Sequence, residues 1–207
     1  SGYGASANAV INGQADASMG SSVSSIFNKT NASPRGLFFP PMPHNDEAGW
    51  KRAIAVAPHF AKAVVTNFVG SSDSNKSFEG MNYPYPIFVT MEKTSEDLSY
   101  HLTEAVMENY DQFKDSGPGM DGYQLSNQNF SWIFPYHPGA VKYYKKKGVW
   151  TSKHDKHNAN LIKRQDVLAK AWQKTLKTNL SGDAFKKKWL ENRASALKAA
   201  GMPNAYN

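Results

Sequence analysis

Residues 136–144 read YHPGAVKYY, and this stretch sets the pattern for the second half of the chain. Pro138 suits the first turn of a helix, because the N–H that proline lacks would be unpaired there in any case. Apolar and aromatic residues follow at helical spacing as far as Tyr144, and Gly148 tolerates the left-handed backbone that ends many helices. We expect His137 to position this turn rather than to transfer protons. The stretch therefore predicts a short helix.

Three other segments of residues 93–207 carry apolar side chains every three or four positions, which is typical of amphipathic helices. Gly117–Gly119 stops the first segment, Asp183 begins the last one, and Pro203 follows its end. The second part of the chain is therefore predicted to be a helical domain, residues 93–207. The recurring residues are Leu98, Leu102, Ala105, Val106, Tyr110 and Phe113 in the first segment, Leu161, Leu168, Trp172 and Leu176 in the second, and Phe185, Trp189 and Leu197 in the third.

Residues 1–92 differ, because short apolar runs alternate there with Gly, Ser, Asn and Pro. Strands that alternate with short helices at this spacing favour an α/β layer arrangement. We therefore predict an α/β arrangement over residues 1–92, with a small mixed sheet flanked by helices. The predicted helices cover Ser6–Asn12, residues 21–27 and the segment that Asp46 caps; the predicted strands cover residues 15–20, 36–39, 63–69 and 86–90, and residues 70–82 are predicted to be a polar loop.

Composition limits the classes of protein that the chain can belong to. Of its 207 residues, 40% are hydrophobic and 20% are charged, which is typical of a globular protein. It has no cysteine, so disulfides and thiolate metal sites are excluded. No apolar run approaches the roughly 20 residues of a transmembrane helix. The first residues carry no signal-peptide pattern and no initial Met, so we expect a processed or truncated form.

The net charge of +7 is concentrated in residues 142–198, which hold most of the lysines. A basic segment can bind nucleic acid or another anionic surface, or it can simply be a set of solvated helix faces. Trp172 and Trp189 interleave with these lysines, as stacking residues do in proteins that bind single strands. Both also lie on the apolar stripes of their helices, where core packing explains them. We therefore favour solvated faces and expect no nucleic-acid partner.

Enzymatic chemistry finds no support in the motifs. The chain has no Gly-x-Ser-x-Gly turn, no P-loop and no dinucleotide fingerprint, and nothing marks an activated serine within Ser21–Ser25. His154 and His157 are spaced to share a metal, but Lys153 and Lys156 oppose a cation, so a solvated turn is the better interpretation. We therefore expect no catalytic residue, no metal and no cofactor.

Binding is the remaining possibility. Residues 2–8 and residues 20–24 are rich in Gly, Ser and Asn, and each leads into a predicted helix N-terminus. Such termini present unpaired N–H groups and the positive end of the helix dipole, which suits a carboxylate or another anion. The alternative is that these side chains only cap the helices.

Four stretches together resemble the TAXI-type receptors of TRAP transporters. They are residues 9–17, the Tyr-Pro segment at residues 83–89, residues 96–106 and the His-Pro-Gly-Ala motif within residues 136–144. The resemblance implies a two-lobed, type II periplasmic-binding-protein-like fold in the periplasm, without a cofactor. Residues 1–92 would form an α/β ligand-binding lobe with the returning hinge strand, and residues 93–207 would form a helical C-terminal region that packs on the lobes. It also implies a small organic acid or amino acid as the ligand and a TRAP membrane permease as the partner. The candidate ligand contacts are Tyr3, Ser6, Asn8, Ser21, Ser22, Tyr83 and Tyr85.

The chain departs from that family in three ways. Residues 71–78 look like an insertion, and Met81-Asn82 are not expected before the Tyr-Pro segment, so the ligand contacts in this region are harder to assign. Family members are longer, so the resemblance implies that the N-terminal portion of the first lobe is missing and that part of the pocket is missing with it. Residues 151–207 extend beyond the resemblance as basic helices, which are expected to be either a docking face for the permease or a packed tail.

Overall fold

A computed structural model of the chain describes residues 2–72, 74–83 and 87–205. Within these ranges helices dominate, and one small sheet lies between the third and the fourth helix. The elements are α1 (Tyr3–Ile11), α2 (Ile26–Asn31), α3 (Glu47–Val56), β1 (Ala61–Val65), β2 (Phe78–Asn82), α4 (Glu96–Glu108), α5 (Tyr110–Phe113), α6 (Pro138–Lys146), α7 (Ser152–Leu176) and α8 (Gly182–Ala199), with two short 3-10 helices at Met120–Tyr123 and Leu125–Asn127.

Local residues begin and end α1, α3 and α6 as predicted, whereas the helix predicted at residues 21–27 lies instead at Ile26–Asn31. Gly13 follows α1 with a φ of +71°, which glycine adopts without strain. Asp46 caps α3 by accepting a hydrogen bond from Gly49 N at 2.8 Å. His137 caps α6 in the same way, because its Nδ1 accepts from Gly139 N at 3.2 Å. The prediction that His137 positions the turn is therefore confirmed.

The sheet differs from the predicted one. β1 and β2 pair in antiparallel register, from Ala61 opposite Asn82 to Val65 opposite Phe78, so the described sheet has two antiparallel strands rather than a mixed set. The predicted strand at 63–69 ends at Val65, and β2 lies inside the predicted loop at 70–82. Residues 15–20, 36–39 and 87–90 form no strand, and Pro86 lies outside the described residues.

Residues 36–39 form no strand, and their aromatic side chains pack against rings from distant parts of the chain. The ring of Phe39 lies 5.6 Å from that of Phe78 and 5.9 Å from that of Phe68. Ala15 is held by its backbone at the end of α1, where its N–H donates to Ala9 O at 3.1 Å. The backbone of neither segment pairs with β1 or β2. The division into residues 1–92 and 93–207 stays a prediction.

The main core lies where α6 packs on α4. It is built around Phe130, Tyr143, Tyr144 and Trp150, which are all buried. Gly139 allows the two helices to approach this closely. A Cβ atom placed on Gly139 would lie 2.7 Å from Tyr100 N and against the carbonyl oxygen of Glu96, both of which belong to the α4 backbone.

Polar contacts align the same pair of helices. Glu104 of α4 accepts hydrogen bonds from the Tyr100 hydroxyl at 3.0 Å and from Lys146 of α6 at 3.3 Å, and these hold the pKa of Glu104 below its usual value. One turn further on, Glu108 accepts from Lys147 at 2.6 Å and from the Tyr143 hydroxyl at 2.9 Å, which lowers the pKa of Glu108 likewise.

The first turns of α7 are fixed to this core. Trp150 Nε1 donates to Asp155 at 2.9 Å, and the Nε2 atom of His157 lies 2.6 Å from the carbonyl oxygen of Trp132. Thr151 and His154 form a capping box at the helix start. The prediction of a solvated turn at residues 154–157 was therefore wrong, because these residues build the N-terminus of a helix.

The hairpin of α7 and α8 has an interior of its own. Leu197 and Thr175 are fully buried between the two helices, and Asn192 donates to the Thr175 hydroxyl at 3.0 Å. Trp172 and Trp189 pack edge to face at 5.0 Å, but Trp172 is 38% exposed and Trp189 is half-buried, so the prediction that both belong to a core holds only in part. Two arginines bind the chain beyond α8. Arg164 donates to Pro203 O at 2.8 Å, and Arg193 donates to Asn204 Oδ1 at 2.6 Å.

Replacing Gly139 by alanine should destabilise the protein. Helix propensity alone would favour alanine by about 1 kcal/mol. The new methyl group would meet α4 backbone atoms that no rotamer change can move, and overpacking of this kind costs about 1–3 kcal/mol. We expect Gly139→Ala to reduce the free energy of unfolding in urea by up to about 2 kcal/mol, which is the overpacking cost less the propensity gain. Gly122→Ala is the matched control, because Gly122 faces open space and should change stability by less than about 0.5 kcal/mol. Equal stability of the two variants would contradict the close approach.

Alkaline pH should unfold the core through its tyrosines. Burial raises the pKa of Tyr136 from 10.0 to about 12, and burial also raises the pKa values of Tyr143 and Tyr144 above the usual range. Because folding raises the pKa of Tyr136, the contribution of its neutral form to the free energy of unfolding is complete below pH 10. That contribution is lost as the pH rises through about 12.

The measurement is a comparison of phenolate absorbance with far-ultraviolet circular dichroism during an alkaline titration. The wild type should form one more phenolate than Tyr136→Phe does. That additional phenolate should form over the same pH range in which the helix signal is lost. A Tyr136 phenolate that forms near pH 10 in a folded chain would contradict burial as the cause.

Candidate functional site

The first group of predicted ligand contacts lies on α1. Tyr3 begins this helix and is 50% exposed. The Ser6 hydroxyl donates to Tyr3 O at 2.8 Å, so its hydrogen atom is already bonded within its own helix. Asn8 is exposed, and within the described ranges no hydrogen bond involves its side chain. Asn8 is thus the member of this group whose polar atoms remain available to a ligand.

The second group, Ser21 and Ser22, connects α1 to the segment that follows β1. Ser21 N donates to the Tyr3 hydroxyl at 3.3 Å. The Ser22 hydroxyl donates to Asn67 O at 3.0 Å, and Val69 N donates to Ser22 O at 2.9 Å. The structure therefore brings Tyr3, Ser21 and Ser22 together, where they join three separate segments of the chain.

Gly20 makes this junction possible. A Cβ atom at Gly20 would lie 2.5 Å from the Tyr3 hydroxyl oxygen and 2.6 Å from the Phe27 ring. The absence of a side chain lets both aromatic residues pack against this point of the backbone. Tyr3 and Phe27 in turn meet edge to face, with ring centroids 6.4 Å apart.

A phenylalanine cluster lies beneath this junction, formed by Phe27, Phe39, Phe68 and Phe78. Phe39 lies at its centre: its ring stacks on Phe78 and contacts Phe27 and Phe68 edge to face. Phe27 and Phe68 are buried. Edge-to-face and offset-stacked pairs are the arrangements that aromatic quadrupoles favour. The cluster joins α2, β2 and the two intervening loops into one apolar unit.

An open cleft of about 260 Å³ lies beside the cluster, slightly below the usual size of small-molecule sites. Phe38, which is 77% exposed, forms part of its wall. The backbone at Gly70 lies close to Asn31, because a Cβ atom at Gly70 would be 2.8 Å from Asn31 Oδ1. Its φ of +82° is one that glycine adopts freely. The cleft is lined by Leu37, Phe38, Phe39, Pro41, Phe68, Val69, Gly70, Asn75 and Phe78.

A shallow polar depression lies on the same connection between β1 and β2. It is lined by Thr66, Ser71, Ser72 and Lys76. Two residues of the depression, Ser71 and Lys76, are the chain neighbours of Gly70 and Asn75 in the cleft wall. This combination suits a ligand that has one apolar part and one anionic part.

Tyr83 lies elsewhere. It follows β2 and stands five residues beyond Phe78, or about 16 Å along an extended strand. Its ring contacts His59 and Phe60, each with centroids 5.6 Å apart. The structure therefore does not bring Tyr83 to the Tyr3 junction, and Tyr85 lies outside the described residues. The predicted ligand contacts all stay predictions.

The sequence prediction missed the phenylalanine cluster and its cleft. One signal was available: seven of the eleven phenylalanines lie within residues 1–92. Phe38 and Phe39 were assigned to a strand and Phe78 to a polar loop, because pattern rules consider only neighbours in sequence. In the described part of the chain, no cluster of three or more His, Cys, Asp or Glu residues could hold a metal ion.

Comparison with known proteins finds one family. The sequence model of the NMT1-like family matches residues 1–148, which include the Tyr3 junction, the cleft and the α4–α6 core. The match stops before α7 begins. No curated protein and no solved structure matches the chain. No helix within the described residues is long and apolar enough to cross a membrane.

Two adjacent phenylalanines should respond differently to truncation. Phe39 packs on three other rings, so Phe39→Ala should reduce the free energy of unfolding by about 2–4 kcal/mol. Phe38 is mostly exposed, so Phe38→Ala should change it by less than about 0.5 kcal/mol. Urea unfolding of both variants provides the measurement. A larger loss for Phe38→Ala than for Phe39→Ala would show that the cluster is arranged differently.

Proposed function

Because the chain belongs to the NMT1-like family, which is periplasmic-binding-protein-like, we propose that it is an extracytoplasmic solute-binding receptor of the TAXI kind. In this proposal it captures a small organic anion or amino acid, catalyses no reaction, and delivers the solute to a TRAP-type permease in the membrane. The family match over residues 1–148 is the observation that carries the proposal.

The cleft supports the solute-binding part of the proposal. Its walls are aromatic and aliphatic, as in most small-molecule sites, and they belong to the segment that the family match covers. The exposed Phe38 ring leaves apolar surface that a ligand would cover. The core behind the cleft is already packed, so binding would not have to order it.

The adjoining polar depression supports an anionic group on the solute. Lys76 provides a positive charge, and Ser71 and Ser72 provide hydroxyl donors beside the cleft. A carboxylate there would receive charge-assisted hydrogen bonds, which are stronger than neutral ones. The favoured solute is thus a small carboxylate with a compact apolar side chain, and branched or aromatic amino acids and keto acids belong to this class.

Thermal unfolding of the chain in the presence of carboxylates tests the proposal. A ligand at about a hundredfold excess over its Kd stabilises the folded state by about 2.7 kcal/mol, which raises Tm measurably. We expect apolar carboxylates to raise Tm more than acetate does. Absence of any shift across amino acids, keto acids and dicarboxylates would count against a solute receptor.

Two variants locate the site once a ligand is found. Phe38→Ala and Lys76→Gln should each weaken binding about tenfold, measured as a smaller Tm shift or by calorimetry. Lys51→Gln is the control for the loss of a lysine charge, because Lys51 is exposed on α3 and lines neither concavity. Equal weakening by Lys51→Gln and Lys76→Gln would refute the anion contact.

A further inference from the structure

The exposed surface of α7, together with Lys177 directly after its last residue, carries a straight row of five lysines. We name Lys156, Lys163, Lys170, Lys174 and Lys177 the lysine ridge. Successive members stand seven, seven, four and three residues apart. At about 100° per residue, all five fall within roughly 60° of the helix circumference. At about 1.5 Å per residue, the ridge extends over about 32 Å. All five side chains are exposed.

The ridge lacks the countercharges that the neighbouring lysines have. On α6 and the residue after it, four lysines pair with acids: Lys142 with Glu96 at 3.5 Å, Lys145 with Asp155 at 2.9 Å, Lys146 with Glu104 at 3.3 Å and Lys147 with Glu108 at 2.6 Å. Among the described residues, no ridge lysine forms an ion pair. Asp166 flanks the ridge between Lys163 and Lys170 and is paired with neither.

The helix packing leaves the ridge uncovered. Ala171 and Thr175 of α7 are buried against α8, and they lie about a quarter turn from the ridge. Residues 152–205 carry twelve basic and four acidic side chains, so the hairpin has a net charge of +8 while the rest of the chain is close to neutral. An unpaired, concentrated positive charge of this kind attracts an anionic partner.

We propose that the lysine ridge binds the surface of an anionic lipid bilayer. Lysines are point charges without the planar fork of arginine, so they suit diffuse phosphate charge rather than readout of specific groups. The aromatic Trp172 lies about half a turn away from the ridge, so no ring on the ridge can stack on nucleic-acid bases. A straight row of charges on a rigid helix fits a flat anionic surface. Juxtaposed lysines and anionic headgroups attract each other over about one Debye length.

The inference rests on α7 alone and does not need the proposed solute. It does fit a receptor that works beside a membrane protein, because adsorption would keep the receptor close to its permease. Failure of solute binding would leave the ridge proposal intact, and failure of membrane binding would leave the solute proposal intact.

Sedimentation with vesicles tests the ridge. The whole chain is mixed with vesicles of phosphatidylcholine alone, and with vesicles in which about a third of the lipid is phosphatidylglycerol. We expect binding to the anionic vesicles at low salt and its loss in about 1 M salt, where the Debye length falls to about 3 Å. Equal partitioning onto both kinds of vesicle would overturn the proposal.

A matched pair of variants separates the ridge from net charge. The ridge variant is Lys163→Gln/Lys170→Gln/Lys174→Gln, and the control is Lys186→Gln/Lys187→Gln/Lys198→Gln on α8, which removes the same charge from exposed residues. The ridge variant should bind anionic vesicles on the order of 100-fold more weakly. The control should change less than about tenfold.

The remaining outcomes also decide the question. Equal losses for the two triple variants would show that net charge, and not the ridge, governs binding, and would overturn the proposal. Tighter ridge-dependent binding to duplex DNA than to anionic vesicles at the same salt concentration would assign the ridge to nucleic acid instead. Circular dichroism verifies that both variants fold. If the ridge triple variant does not fold, Lys170→Gln alone takes its place, and it should bind anionic vesicles about fivefold more weakly than the wild type.

Discussion

The close approach of α6 to α4 at Gly139 is the constraint on which most of the structure depends. Any side chain at this position would meet the α4 backbone, so the separation of the two helices is fixed by a single missing Cβ atom. That separation allows Glu104 and Glu108 to reach Lys146 and Lys147, and it encloses Tyr143 and Tyr144. The ion pairs are exposed and orient the helices, whereas the buried aromatic rings hold them together.

Sequence predicted most of the helices, because residues within the helices or next to them begin and end them; the helix expected at residues 21–27 is the exception, since α2 begins only at Ile26. Pro138 and Asp46 act on their own turns, so a local pattern contains the necessary information. The sheet and the cleft depend on contacts between distant residues. Phe39 meets Phe78 almost forty positions away, and no periodicity within residues 36–39 indicates that pairing. Ser21 and Ser22 were predicted as binding residues from composition, but their backbone contacts to Val69 and Tyr3 required the folded chain.

The structure also shows that the lysines in the basic half of the chain are of two kinds, which composition alone does not distinguish. The lysines of α6 neutralise acids of α4 and α7 and so belong to the packing of the core. The lysines of the ridge neutralise nothing within the described residues. Net charge alone could not separate the two, because the distinction depends on which acid each lysine reaches in the folded chain.

The direction in which α7 leaves the core is set by the family-matched part of the protein. Asn158 of α7 accepts a hydrogen bond from Tyr136 N at 2.7 Å, and Asp155 pairs with Lys145 of α6. Both partners lie within residues 1–148, whereas the ridge lies outside them. The hairpin interior is completed by its own residues, Thr175, Asn192 and Leu197, so it needs the core only at its first turns. A basic surface built in this way can change its charge without disturbing either the aromatic core or the phenylalanine-lined cleft.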